Sequence, residues 1–118
     1  MKLIEKLSTM IDEEIDDAGK YAKCAVKYKD ERPELAKTFY DLSTDELRHM
    51  ALLHAEIADV IKEYRAEHGE PPAEMQAVYD YLHDKQVDKA QEVKNMQAMH
   101  CAIVTGNRSE ERRVGKEC

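Results

Sequence analysis

The sequence predicts an all-α protein, and three observations carry the prediction. Helix-favouring Ala, Glu, Lys, Leu and Met dominate a 118-residue chain that holds only four glycines and three prolines. Apolar residues recur at three- and four-residue steps along three long segments. The three prolines, Pro33, Pro71 and Pro72, fall between those segments or at their starts. The length suits one domain with one core. The expected architecture is an antiparallel helical hairpin followed by a third helix.

The first helix, about residues 2 to 29, follows from Leu3, Ile4, Leu7, Met10, Ile11, Ile15, Ala18, Ala22, Ala25 and Val26, which fall on one stripe. Lys27 and Lys29 suit the negative pole of its dipole. Asp30-Glu31-Arg32-Pro33 then turns the chain, with Pro33 placed for the first turn of the next helix. That second helix, about 34 to 67, carries Leu35, Phe39, Leu42, Glu46, His49, Leu53, Ile57, Val60 and Tyr64, and stops at His68-Gly69 ahead of Pro71-Pro72. A third periodic segment from Ala73 to about Val104 has a polar middle, Asp84 to Lys89, where a break is conceivable. Helices of roughly 28 to 34 residues reach about 40 to 50 Å at 1.5 Å per residue, too long and thin for an isolated globule, so a second copy is expected to complete the bundle.

Several function classes are disfavoured. A net charge of −7 offers no basic footprint for a phosphate backbone, so no nucleic-acid partner is expected. The longest apolar run, Met50 to Ile61, is interrupted by His54, Glu56 and Asp59, so no membrane span is expected. Nothing near Met1 resembles a signal peptide, which points to the cytoplasm. Cys24, Cys101 and Cys118 form no Cys-x-x-Cys pair, which argues against a disulfide framework or a Cys-rich metal site and for reduced thiols. Residues 108–118, Arg-Ser-Glu-Glu-Arg-Arg-Val-Gly-Lys-Glu-Cys, resemble one translated frame of a sequencing adapter. They are read as a non-native or disordered tail, with residues 1–107 as the helical domain. The tail holds four basic and three acidic residues, so residues 1–107 carry one negative charge more than the whole chain's −7.

Chemistry enters where polar groups interrupt the stripes. Glu14 lies between Ile11 and Ala18; Glu46 and His49 lie between Leu42 and Leu53. A carboxylate in a dry core costs several kcal/mol unless paired, hydrogen-bonded or metal-bound, so three such groups ask for one shared explanation. The i, i+3 spacing in Glu46-Leu47-Arg48-His49 turns an acid and an imidazole to one side of a helix. Asp30, midway between 14 and 46 in the chain, sits where the hairpin turns, so the two glutamates should face each other at one height. Tyr21, two turns beyond Glu14 on the same face, brings a phenol toward that region. One chain supplies half the donors of a two-metal carboxylate site, and a two-fold related copy would supply the rest.

Glu14 with Tyr21, and Asp45-Glu46-Leu47-Arg48-His49 at this separation, resemble the first half of the ferritin-like di-iron superfamily, especially rubrerythrin-type domains and the short encapsulated ferritins that assemble their site between subunits. The resemblance spans about residues 3 to 66. It implies that Glu14, Glu46 and His49 ligate iron, two ions per dimer site, with Glu46 bridging and Asp45 a partner to a histidine of the other chain. It also implies oxidoreductase chemistry on Fe(II), peroxide or O₂ as the small-molecule oxidant, with Tyr21 beside the centre. The second Glu, second Glu-x-x-His and Cys-rich rubredoxin domain of full-length rubrerythrins are not visible; Asp80-Tyr81-Leu82-His83 has the i, i+3 form of a degenerate second pair.

Oxygen and imidazole donors without thiolates suit Fe(II) or Mn(II), so manganese with catalase-like dismutation stays open. So does a metal-free helical assembly or adaptor protein. By default Met50, Met75, Met96 and Met99 fill the core, Tyr21, Tyr28 and Tyr64 pack, and His54, His68 and His100 lie on solvated faces.

Overall fold

The computed structural model describes residues 2–105, with side chains to residue 102; the tail, 108–118, lies outside the described residues. Three helices, α1 (Lys2–Tyr28), α2 (Pro33–His68) and α3 (Ala73–Thr105), and no strand occur among the described residues. The architecture is the expected ferritin-like one, an antiparallel hairpin with a third helix against it, extending 57 × 23 × 18 Å.

Ile4, Ser8, Ile11, Ile15, Ala18, Ala22 and Ala25 are the buried face of α1, alternating in steps of four and three as a helix packed along its whole length requires. Leu3 and Met10 from the same apolar stripe remain exposed, so the stripe is wider than the chain itself covers. Pro33 opens α2 as expected; Arg32 caps it by conformation, without a side-chain hydrogen bond. Gly69 closes α2 with φ 79° and ψ −163°, a region essentially closed to other residues, and its N–H donates to the Arg65 carbonyl at 2.9 Å.

Small residues let the hairpin close tightly: Ala18, Ala22, Ala25 and Ala36 are fully buried between helices. Ile11, Ile15, Ala18 and Ala22 of α1 meet Val93 of α3, with Leu47, Met50, Leu53 and Ile57 of α2 and Met96 of α3 packed around them. α3 lies mainly on α1 and barely approaches α2.

Two glutamines fasten α3 where its apolar stripe is thin. Gln86 Nε2 donates to Ser8 Oγ at 2.8 Å and to Asp12 Oδ1 at 3.2 Å, while Gln86 Oε1 meets His54 Nε2 at 3.1 Å. Farther along, Gln97 Nε2 donates to Ser43 Oγ at 2.9 Å, and Ser43 Oγ donates to the Ala18 carbonyl at 2.7 Å. The polar middle of the third segment is therefore an unbroken helix with a buried polar anchor. Three default placements change accordingly. His100 is buried and stacked on Tyr40, burial lowering its pKa; His54 is half-buried against Gln86; Met99 is exposed. Of the cysteines read as reduced, Cys24 is free whereas Cys101 is disulfide-bonded. No helix among the described residues is long and apolar enough to cross a membrane.

Candidate metal centre

The hairpin brings Glu14 of α1 opposite Glu46 and His49 of α2, as the symmetry of the two positions about Asp30 predicts. One donor atom from each of the three lies within 4.8 Å of the others. Two donors each about 2.1 Å from one ion can be at most about 4.2 Å apart, so small side-chain rotations would bring all three onto a shared ion. His49 Nδ1 is the nitrogen turned toward both acids, 3.4 Å from Glu14 Oε2 and 3.9 Å from Glu46 Oε1.

Burial grades across the cluster. The Glu46 side chain is 19% exposed, Glu14 27% and His49 44%, so the acids are seated in the hairpin and the imidazole stands at its rim. Glu14 Oε2 is closed off from solvent and has no hydrogen-bond partner; the 3.4 Å approach of His49 Nδ1 does not meet the alignment of one. Glu46 is pushed up to about 7, first by a hydrogen bond shared with Glu14, then by burial and by the Glu14 charge, with His49 pulling the other way. These facts agree: two carboxyl groups this close share a proton at neutral pH, and once that proton is gone the Glu14 oxygen faces another anion.

That arrangement is unfavourable for a purely structural cluster. Once Glu46 loses the shared proton, a solvent-excluded Glu14 oxygen faces a second anion without a donor, and a cation resolves this by taking the proton's place. The donor set, two carboxylates and one imidazole with no thiolate, suits iron or manganese.

The other predicted site residues fall elsewhere. Tyr21 is outside the three-residue cluster; its half-buried ring stacks on Phe39 with centroids 6.2 Å apart, and Phe39 stacks in turn on Tyr28 at 6.1 Å. Asp45 is exposed and 3.9 Å from Arg48. Asp80 accepts from Gln76 Nε2 at 2.9 Å, and the His83 ring lies 5.1 Å from that of His54, so this i, i+3 pair does not join the cluster. Sequence reasoning missed the anchor built on Gln86, because its partners Ser8 and Asp12 are 78 and 74 residues away and leave no local spacing to read.

The family model described as Rubrerythrin matches residues 5–111. No curated protein and no solved structure matches the chain.

Proposed function

We propose, for a chain that belongs to the rubrerythrin family of the ferritin-like di-iron superfamily, that Glu14, Glu46 and His49 bind iron and that the protein is a di-iron oxidoreductase acting on Fe(II), peroxide or O₂. The observation that carries this reading is the solvent-excluded Glu14 Oε2, which has no donor once Glu46 is ionised, at the meeting point of that second carboxylate and an imidazole. Two irons held by such a donor set supply one electron each between their ferrous and ferric states.

The chain's own residues do the rest. Glu46 retains a proton near neutral pH and gives it up when a cation takes its place, so loading releases a proton at this carboxyl. The backbone of Glu14 is fixed by the buried stripe on either side of it, Ile11, Ile15 and Ala18, so only a small side-chain rotation separates its acceptor from a shared ion. Tyr21 brings a phenol two turns along the same face, its ring held by Phe39.

The remaining donors come, in this reading, from a second copy. Met10 stands one turn before Glu14 on α1 and Leu42 one turn before Glu46 on α2. Because the helices are antiparallel, these residues bracket the cluster from opposite ends. Both are exposed, 40% and 37%. An apolar border around a half-set of ligands matches an isologous contact, in which the same face meets itself and both donor sets double.

Metal analysis by mass spectrometry after anaerobic Fe(II) loading should give about one ion per chain, half of a two-metal centre. Glu46→Ala and His49→Ala should each lower metal affinity by about 100-fold or more, beyond the 10- to 100-fold typical of losing a residue that merely orients a ligand. Unchanged loading in both variants leaves the metal-free adaptor reading. Preferential loading and peroxide dismutation with Mn(II) would favour the manganese form.

A further inference from the structure

α3 is fastened to the hairpin at two heights. Gln86 anchors its first half to Ser8 and Asp12 of α1. Its C-terminal half lies mainly on α1 and touches α2 with Gln97 and His100, one turn apart on the same face. Gln97 donates to the Ser43 hydroxyl at 2.9 Å, and the His100 ring stacks on Tyr40 with centroids 5.4 Å apart and 22° between the planes.

His100 is 4% exposed, an imidazole shut away from water near the end of a helix. It is neutral at pH 7. Burial lowers its pKa from the ordinary 6.5, and Lys37 of α2 and Lys29 of the α1–α2 turn lower it too, against an opposing pull from Asp41. The acids beside it are already engaged: Asp41 pairs with Lys37 at 3.3 Å and Asp30 with Lys29 at 2.8 Å. A proton on His100 therefore adds a third cation where the carboxylates already have partners. A buried charge so placed is costly, and hydration relieves it. The last turns of α3 are the part able to yield, because helix ends open at far lower free energy than a core.

We propose that the C-terminal end of α3 is a latch that acid opens, leaving its seat on α2 when His100 gains a proton. Opening uncovers the Tyr40 ring and the Ser43 hydroxyl, while the Gln86 anchor keeps the first half of α3 in place. The sign follows from linkage. The docked contact is at full strength above about pH 6.5 and weakens as pH falls, because the released end takes up a proton that the docked end resists. The Glu14–Glu46 pair responds in the opposite sense, since acid supplies the proton it shares. The latch does not rest on the metal reading.

Hydrogen–deuterium exchange of the metal-free full chain, corrected for the intrinsic rate at each pH, tests this. Between pH 7 and 5, protection of residues 94–102 should fall several-fold, within the tenfold per pH unit that one proton allows. Protection around Gln86 should hold. His100→Gln has nothing to titrate there, so its protection of 94–102 should stay level with pH. Lys37→Met, at an exposed position, removes a repelling cation and frees Asp41 as a counter-ion, so the fall should shrink. That variant decides the matter if His100→Gln is already undocked at pH 7. Constant protection of 94–102 in the native chain, or a fall of native size in His100→Gln, overturns the proposal. A fall of native size in Lys37→Met overturns the part given to the surrounding charges. Loss of protection along all of α3 at one pH overturns local release in favour of global acid unfolding.

Discussion

Two polar clusters interrupt the apolar interior of this bundle, and they are built on opposite principles. Around Gln86, the amide of one side chain meets a hydroxyl, a carboxylate and an imidazole, each within 3.2 Å. Around Glu14, two acids and a histidine converge, and with Glu46 ionised a solvent-excluded oxygen is left with no donor. A buried polar group that is satisfied by its own chain holds the chain together. One that is left unsatisfied is directed at something the chain does not contain. Burial alone does not separate the two cases; the count of donors against acceptors does.

The sharpest way to break this contrast is to deny the Glu14 cluster its second half. Met10→Glu combined with Leu42→Glu places like charges where two copies would meet, and like-charge juxtaposition costs several kcal/mol. The variant should sediment as a monomer and lose at least about 100-fold in iron affinity, as removal of half the donors predicts. Both positions are exposed in the single chain, so the variant's thermal stability without metal should fall only by what association contributes and should no longer depend on protein concentration. Full iron loading by a monomeric variant would show that one chain suffices.

The complementary experiment attacks the other cluster. Gln86→Ala strands Ser8 and His54 and leaves Asp12 without its donor, which should cost about 2 to 3 kcal/mol in urea unfolding. Iron stoichiometry should stay as it was, since no ligand is touched. Gln86→Glu should cost more, by setting a second carboxylate against Asp12. If instead Gln86→Ala abolishes iron loading at unchanged stability, the division into a structural and a functional cluster fails.

The hairpin and its site are legible in the sequence for one reason: both are written as periodicity. Glu14, Glu46 and His49 stand at positions where a three-and-four repeat demands an apolar residue, and the mirror relation of 14 and 46 about the turn sets their height. Pro33 and Gly69 mark the ends of α2 with the same clarity. The third helix is different. Its inward face at Gln86 is polar, so a stripe that counts only apolar residues loses it, and the partners that make the burial tolerable lie on the first helix. His100 and His54 are misplaced on solvated faces for the same reason, His100 being buried in a ring stack with Tyr40 and His54 half-buried against the Gln86 amide. Tertiary hydrogen bonds over such separations have no signature in local spacing.

The shared proton of the acid pair gives a pH test of intermediate size. Glu46 is raised from 4.5 to about 7 in the folded, metal-free protein, so between those values the folded state binds a proton that the unfolded chain has lost. The stability contributed by this group is complete below about pH 4.5, falls as pH rises, and is gone above about 7. Iron loading runs the other way and strengthens through the same interval, because the cation competes with that proton. Glu46→Gln should remove the downward slope from the metal-free unfolding profile between pH 5 and 7. A slope of native size in that variant would place the shared proton elsewhere.

The smallest effect belongs to Ser43, and it tests whether satisfaction is a matter of number or of alternatives. Ser43 is fully buried; its hydroxyl donates to the Ala18 carbonyl at 2.7 Å and accepts from Gln97 at 2.9 Å. On paper it resembles Gln86 as a link between helices. Its partners, however, have other options. The Ala18 carbonyl lies inside α1, where the helical hydrogen bond already occupies it, and half-buried Gln97 is within 3.5 Å of Thr44 Oγ1. Ser43→Ala removes one oxygen and strands nothing, so about 1 kcal/mol is expected, the net worth of an ordinary hydrogen bond. A loss as large as that of Gln86→Ala would mean that the number of bonds, and not the fate of the groups left behind, sets the strength of these polar anchors.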